Sequence, residues 1–209
     1  MKFEPLNIEQ HDLKIVTELI YETELAIFRS LLGENKEDAI YNIKRLVKSG
    51  NNSLGHEHIY VVSEKDKRIL GILVSFSGRQ RSFWNDFRAY YKIMNFTDFL
   101  KCMVKGTVIN ELLTAHIGRD DYYLSNIAVD PACRGQGVGT YILENALRLA
   151  KEAECNRVIL DVTLDNKGAL RLYQRFGFKV YGKTSSKWIF KSQGTFNMEI
   201  ELAIKSSPK

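Results

Sequence analysis

A glycine-rich turn carries the clearest chemical signal in this sequence of 209 residues. It runs from Arg134 to Gly139, after a strand-like segment at 122–129 and before an amphipathic helical segment that begins at Val138. Glycines let the backbone approach a ligand closely, and successive N–H groups at a positive helix N-terminus attract a diphosphate. Arg134 adds a cation. The turn therefore predicts a pyrophosphate site, although a plain strand-to-helix connection could carry the same glycines.

The turn differs from two other phosphate-binding motifs. A P-loop needs Lys and then Ser or Thr directly after its last glycine, whereas Thr140 and Tyr141 follow Gly139. The P-loop is therefore excluded. A dinucleotide-binding turn needs a further glycine where Thr140 stands, although Asp161 ends a later strand at a suitable distance. That second motif stays open as a lesser alternative, and it predicts binding of NAD.

The composition is that of a globular protein, with 44% hydrophobic and 26% charged residues. We find no apolar run that could span a membrane and no secretory signal pattern at the N-terminus, which predicts a cytoplasmic protein without a membrane partner. The net charge is +5, but Lys and Arg are interleaved with Asp and Glu along the chain. The net charge could attract nucleic acid, but a small polyphosphate ligand fits this distribution equally well, and we predict no nucleic-acid partner.

Neither the cysteines nor the histidines have the spacing of a metal site, so we predict no metal. Three scattered cysteines also argue against a disulfide framework, and we expect free thiols at Cys102, Cys133 and Cys155. Cys133 adjoins the turn without a required role in it. The four isolated histidines are His11, His56, His58 and His116.

Hydrophobic periodicity predicts a chain in which helices and strands are mixed. The predicted helices cover 10–32, 36–49, 138–151 and 167–175, and Gly33 ends the first of them. The predicted strands cover 3–8, 58–64, 68–76, 122–129, 157–162 and 195–202, with a hairpin turn at Lys65, Asp66 and Lys67. We find no linker or repeat, so we predict a single domain over 1–209 with an insertion at about 79–118.

The insertion is predicted to be helical and partly buried because it is densely aromatic. Its aromatic residues include Phe83, Trp84, Phe87, Tyr90, Tyr91, Phe96 and Phe99.

Two segments of the second half of the chain resemble the central motifs of the GNAT superfamily of N-acetyltransferases. The segments are YLSNIAVDPACRGQGVGTYILENAL and VILDVTLDNKGALRLYQRFGFKVYG, within residues 122–182. They contain an R-x-x-G-x-G turn after a strand that ends in AVDP. An asparagine, Asn166, follows later, and Tyr173 comes seven residues after it, before F-G-F.

The resemblance implies an α/β fold with a central mixed, mostly antiparallel sheet and helices on both faces. It also implies that the strands before and after the main helix splay apart at a bulge, where acetyl-CoA lies. By this likeness the backbone of Ile127, Ala128 and Val129 pairs with the pantetheine arm, and Asn166 lies near the arm. The implied pyrophosphate site consists of Arg134, Gly135, Gln136, Gly137, Val138, Gly139 and Thr140.

Catalytic roles also follow from the resemblance. Tyr173 matches the family's general acid, which protonates the departing thiolate, although it shares a helical face with core residues. Asp161 stands where some relatives carry a carboxylate base, and a cap or an ion-pair partner is the alternative. The backbone N–H of Val129 or its neighbour is expected to stabilise the oxyanion. Ser125 and Asn126 flank the acetyl position. They are either ordinary strand residues, the interpretation that we favour, or residues that orient the amine or a water.

The expected activity is transfer of acetyl from acetyl-CoA to a primary amine by direct attack in a ternary complex. A non-catalytic acyl-CoA sensor is the alternative. The acceptor is a small-molecule or protein amine, and a homodimer is one open option. The insertion at 79–118 departs from the family pattern. We expect it either to line the acceptor pocket or to have a structural role, as an extra helical layer or a dimer contact.

Overall fold

Seven strands form a mixed sheet in the computed structural model, which describes residues 1–64, 68–113, 116–185 and 194–202. The strand order is β1-β2-β3-β4-β5-β7-β6, and only the β4–β5 pair among them is parallel. The expected hairpin turn at Lys65–Lys67 lies outside the described residues. The strands are β1 (Lys2–Pro5), β2 (Ile59–Ser63), β3 (Ile69–Ser77), β4 (Asp121–Val129), β5 (Arg157–Thr163), β6 (Lys179–Ser185) and β7 (Gly194–Glu201).

Helices cover both faces of this sheet. The helices are α1 (Leu13–Thr23), α2 (Leu25–Leu32), α3 (Lys36–Ser49), α4 (Phe83–Ile93), α5 (Phe96–Leu113), α6 (Val138–Glu152) and α7 (Lys167–Arg175). Their sequences place caps where the chain enters a helix. Asn35 accepts a bond from the Asp38 amide before α3, and Asn166 accepts one from the Ala169 amide before α7.

Two separate hydrophobic layers follow from the alternation of side chains along the strands. On one face, α1 to α4 pack against strand residues that include Ile72 and Val74. On the other face, α6 and α7 pack against Leu73, Leu160 and Met198. The predicted mixed, mostly antiparallel sheet with helices on both faces is therefore confirmed.

The predicted first helix, over 10–32, is divided in the structure. Helix α1 ends at Thr23 and α2 starts at Leu25, because Glu24 has an extended φ of −146° and a ψ of 55°. Neither glycine nor proline causes the break. Instead, the Thr23 hydroxyl donates to the Ile20 carbonyl at 2.6 Å and accepts from the Asn126 side chain on β4 at 2.8 Å. A contact across the fold thus fixes the corner.

The insertion between β3 and β4 is helical, as predicted, and consists of α4 and α5. Ala89 and Ile93 are buried against the α1–α3 layer, and the Ile93 carbonyl accepts a hydrogen bond from Arg45 at 2.5 Å. Most of its aromatic residues are more exposed than the sequence predicted. Phe83, Trp84, Tyr91 and Phe96 are each more than half exposed.

Most other element boundaries agree closely with the sequence, but β1 ends at Pro5 and not at residue 8 as predicted. Helices α3 and α7 have the predicted bounds, and α6 ends one residue beyond the predicted 138–151. Strand β6 was not predicted. Its segment KVYGKTS alternates weakly, and its pairing with β7 shifts register between Val180 and Gly182.

Candidate functional site

Strands β4 and β5 form a fork at the centre of the sheet. They pair in parallel from Asp121↔Arg157 to Leu124↔Leu160 and have no described pairing beyond. The register of β4 against β3 shifts at the same level, because Val74 pairs with Asn126 and Ser75 with Leu124. Ser125 is therefore the extra residue of a β-bulge, which bends the strand and ends its pairing with β5. The splay and the bulge lie where the family resemblance implied.

The edge of β4 beyond the bulge faces the fork. Ile127, Ala128 and Val129 pair with β3 on one side, down to Val129↔Gly71. Backbone groups on the other side have no strand partner among the described residues, so an extended ligand could pair with them as an added strand would.

The glycine-rich turn lies directly after this edge. Gly135 and Gly137 have φ values of 77° and 83°, in the left-handed region that favours glycine. A Cβ at either position would meet nothing within 4 Å, so the backbone conformation rather than space requires glycine. The first backbone bond into α6 runs from the Tyr141 amide to the Gly137 carbonyl. The amides of Val138, Gly139 and Thr140 therefore precede the helical ladder and are available to an anion.

Side chains of the turn hold its shape. The Arg134 Nε donates to the Val129 carbonyl at 3.3 Å, which places this exposed guanidinium between the strand edge and the helix start. The Gln136 side chain donates to the Ala132 carbonyl at 3.1 Å. Gly139 has a packing role as well, because a Cβ there would lie 3.1 Å from the Leu172 Cδ2 on α7.

Asn166 has a structural contact that the sequence analysis did not assign. Its Oδ1 accepts from the Ala169 amide at 3.0 Å and caps α7. The side chain is exposed, and its amide nitrogen still has donors to offer a ligand.

Tyr173 lies on α7, on the same face of the sheet as α6. Only 7% of the residue is exposed, its ring packs 5.9 Å from that of Phe178, and burial raises the pKa of its phenol to about 12. The hydroxyl has no hydrogen-bond partner among the described residues. Every fully buried side-chain polar atom among the described residues has a hydrogen-bond partner. The Tyr173 hydroxyl has none, so it must be in contact with solvent. The phenol thus stays protonated at neutral pH and is available as a donor.

Asp161 lies on β5 and accepts two hydrogen bonds from other described residues. Its Oδ2 accepts from the Tyr123 hydroxyl at 3.0 Å, and its Oδ1 accepts from the Asn197 side chain at 2.6 Å. Burial, and then the charge of Asp161, raise the pKa of Tyr123 well above its usual value. Asp161 is therefore a held carboxylate, and a proton transfer to it would compete with two existing donors.

Ser125 and Asn126 have structural roles at the bulge. The Ser125 hydroxyl donates to the Asn126 Oδ1 at 3.0 Å, and the Asn126 amide nitrogen donates to Thr23. Asn126 is 3% exposed, so this second bond ties the α1–α2 corner to the fork from within the protein.

A cavity of about 590 Å³ opens on the face of the sheet that carries α1 and α2, opposite α6. Fork residues, the α1–α2 corner and the insertion line it. From the fork come Tyr123, Ser125, Asn126, Asp161 and Thr163; from the insertion come Phe83, Tyr90, Cys102, Met103 and Gly106. The insertion thus forms part of the wall beside the fork.

Glu24 is the functional candidate that sequence reasoning missed. It lines the cavity at the α1–α2 corner, and burial, followed by the charge of Asp161, raises the pKa of its carboxyl to about 7. In the sequence it resembles Glu18 and Glu22 on the same predicted helix. Only the break at Glu24, fixed by a residue on β4, distinguishes it.

Within the described residues, no three His, Cys, Asp or Glu side chains are grouped so that they could hold a metal ion. The three cysteines are free and buried, and His116 is exposed. None of the described helices has both the length and the apolar character needed to cross a membrane.

Known proteins of the acetyltransferase (GNAT) family are similar to this chain. The model of the acetyltransferase (GNAT) family matches residues 18–178. N-alpha-acetyltransferase 30 of Xenopus laevis is 38% identical over 56 residues, which are 27% of this chain and 20% of that protein. A putative ribosomal protein bS18-alanine N-acetyltransferase of Bacillus subtilis is 38% identical over 63 residues, 30% of this chain and 42% of that protein. The match thus spans less than half of the length of either relative.

Solved structures share the fold over nearly the whole chain. An N-acetyltransferase from Staphylococcus aureus Mu50 aligns with a TM-score of 0.70 at 19% identity, covering 96% of this chain and 100% of that one. The NatC complex bound to Gag peptide and CoA aligns with a TM-score of 0.57 at 17% identity, covering 97% and 98%.

Proposed function

The chain belongs to the acetyltransferase (GNAT) family, and from this premise we propose that it transfers acetyl from acetyl-CoA to a primary amine in a ternary complex. The observation that carries the proposal is the fork between β4 and β5. On one face it adjoins the amides at the start of α6 and Arg134, and on the other it adjoins the cavity. Cofactor and acceptor would therefore meet at the gap from opposite faces.

The cofactor is acetyl-CoA, bound without a metal. The pantetheine arm pairs with the free edge of β4 at Ile127–Val129, as an added strand would. The pyrophosphate binds the amides of the turn with Arg134 as its counter-ion, and Asn166 lies along the arm. The NatC complex, a solved structure with the same fold, contains CoA.

The reaction needs a neutral amine, a stabilised oxyanion and a proton for the thiolate. The amine nitrogen attacks the thioester carbon, and the Val129 amide or its neighbour donates to the developing oxyanion. Tyr173 then protonates the departing sulfur, for which its protonated, solvent-contacting phenol is suited. Asp161 remains a candidate base, directly or through water, but its two bound donors favour a role as a fixed charge of the cavity.

Thiol release tests this proposal. Purified protein is mixed with acetyl-CoA and a panel of small amines and peptide N-termini, and free CoA thiol is measured beside thermal stabilisation by acetyl-CoA. We expect stabilisation and amine-dependent release. Stabilisation without release for any amine would favour the non-catalytic acyl-CoA sensor. Stabilisation by NAD but not by acetyl-CoA would favour the dinucleotide alternative.

A further inference from the structure

We propose that Glu24 accepts the proton of the acceptor amine, and that the acceptor is a primary ammonium carried on an apolar body. This inference rests on the proposed acetyl transfer. It names the proton acceptor and the substrate class of that same site.

The position of Glu24 is set by the fold. It is the single residue between α1 and α2, so its side chain leaves the chain at a fixed corner. The hydrogen bond between Thr23 and Asn126 holds that corner against the bulge of β4, where the fork opens. Glu24 therefore lines the cavity beside the gap in which the acetyl group is expected.

Glu24 also has free acceptor capacity. Three half-buried carboxylates line the cavity, and two of them are already bonded: Asp161 as described, and Asp86 by the Ser53 amide and hydroxyl, each at 2.7 Å. The Glu24 carboxylate has no hydrogen-bond or ion-pair partner in the described part of the chain. An ammonium entering the cavity would supply the partner.

The electrostatics suit a base at neutral pH. Burial and the nearby Asp161 charge raise the Glu24 pKa to about 7. A base is most effective when its pKa lies near the working pH, because it is then ionised and still a good proton acceptor. Glu24 is neutral below about pH 7 and ionised above it.

The cavity wall indicates the chemistry of the acceptor. Its described lining contains five carboxylates and one cation, Arg81. Much of the remaining wall is apolar or aromatic, including Leu25, Phe28, Leu31, Leu54, Phe76 and Phe83. A volume of about 590 Å³ is in the usual range for a small-molecule site. This wall favours a cation on an apolar body, and it repels an amine with a carboxylate next to it.

The proton balance is complete without a further reactant. Glu24 takes one proton from R–NH3⁺ and later releases it to water. The neutral nitrogen forms the C–N bond, and the C–S bond breaks as Tyr173 protonates the thiolate. When the tetrahedral intermediate collapses, the nitrogen loses its second proton. This proton passes through water to Tyr173 and replaces the one that the phenol gave to the thiolate. The products are the amide, CoA thiol and one released proton.

The first test is Glu24→Gln with two amines of the same shape. At pH 7.5, 2-phenylethylamine is an ammonium, whereas the weakly basic 2,2-difluoro-2-phenylethylamine is mostly neutral. We expect kcat to fall about 10²–10⁴-fold with the first amine and to stay within about tenfold with the second. In the unmodified protein kcat should rise through about pH 7, and this limb should disappear in Glu24→Gln.

Matched variants separate a base from a structural role. Glu18→Gln, at a half-buried carboxylate of α1 that is not part of the cavity wall, should leave the rate and its pH profile unchanged. The Glu24→Asp variant should have a lower kcat, but its pH–rate profile should still rise through neutral pH. Thermal stabilisation by acetyl-CoA should be the same in every variant. An equal fall in kcat with both amines, or an unchanged pH–rate profile in Glu24→Gln, would overturn the role of Glu24.

The acceptor class is tested with three further comparisons. We expect 2-phenylethylamine to be acetylated and phenylalanine, which adds only the carboxylate, to be a poor acceptor. Phe-Ala-Ala amide has the same ammonium and ring on a peptide, so its rate relative to 2-phenylethylamine tells a peptide N-terminus from a free amine. Thiol release with phenylalanine but not with 2-phenylethylamine would overturn the acceptor class alone. If none of the amines caused thiol release, the acetyl transfer itself would be overturned.

Discussion

The Asn126 side chain on β4 donates a hydrogen bond to the Thr23 hydroxyl at the end of α1, at 2.8 Å. These residues come from distant parts of the sequence, and their bond joins the α1–α2 corner to the bulge of the fork. Asn126 is 3% exposed, so a partner lost at this position is not replaced by bulk water. The alignment of Glu24 with the fork depends on this contact.

We therefore expect Asn126→Ala to damage acceptor binding more than cofactor binding. The free energy of unfolding should fall by about 1–3 kcal/mol, because the half-buried Thr23 hydroxyl loses its donor. KM for the amine should rise while the Kd for acetyl-CoA stays the same. Denaturant unfolding and calorimetry measure the two effects. Asn145→Ala, which removes a similar bond to the Tyr141 carbonyl on α6, serves as the control and should not change KM.

Tyr173→Phe should lower kcat by about 10²–10⁴-fold and leave the Kd for acetyl-CoA nearly unchanged, because only the proton donor is lost. The raised pKa, about 12, also predicts that this phenol stays protonated at least up to about pH 10. Its deprotonation should therefore produce no falling limb in the pH–rate profile below that pH. Tyr41→Phe, at an exposed position on α3, is the matched control. Unchanged turnover in Tyr173→Phe would remove this residue from the mechanism.

Arg134→Glu should weaken acetyl-CoA binding by about 10–100-fold, the equivalent of about 1.5–3 kcal/mol for one charge-assisted hydrogen bond. Isothermal titration at two salt concentrations measures the loss, and the salt dependence should be smaller in the variant. Lys151→Glu makes the same change of charge in the last turn of α6. Equal affinity in the two variants would show that overall charge, rather than the turn, attracts the cofactor.

Glu24→Gln should stabilise the free protein at high pH. The folded-state pKa of Glu24 is raised from 4.5 to about 7, so the stability present below pH 4.5 is lost as pH rises through about 7. Gln mimics the neutral form throughout. We expect Tm to be higher in the variant at pH 8, by about 2–4 °C for each kcal/mol, with about 3 kcal/mol as the upper bound that the two pKa values set, and to differ little at pH 4.5. Glu18→Gln, which removes a half-buried carboxylate of α1 outside the cavity wall, is the control for the loss of one charge.

The sequence predicted the glycine-rich turn and the fork of the proposed site, but it did not predict the α1–α2 corner that lines the cavity. The turn from Arg134 to Gly139 was found because its glycines, its cation and the helix start are adjacent in the chain. The splay of β4 and β5 came from the same motif. The break at Glu24 could not be found in this way, since it depends on Asn126 and the residues around Glu24 suit a continuous helix.

Asp161 shows a second limit of sequence reasoning. Its position at the end of β5 suggested a base, but its actual partners, Tyr123 and Asn197, come from the neighbouring strands on either side. The register between neighbouring strands decides which carboxylate accepts hydrogen bonds and which can still accept a proton. A single sequence does not contain that information.

The two arms of the fork are each secured along their outer sides. Strand β4 remains bonded to β3 as far as Val129, and β5 remains bonded to β7 as far as Thr163. Bringing the arms together would require slipping one of them in register, which would turn buried side chains outward. The gap is thus present before any ligand arrives. The entropic cost of ordering it is part of the free energy of folding and does not weaken ligand binding.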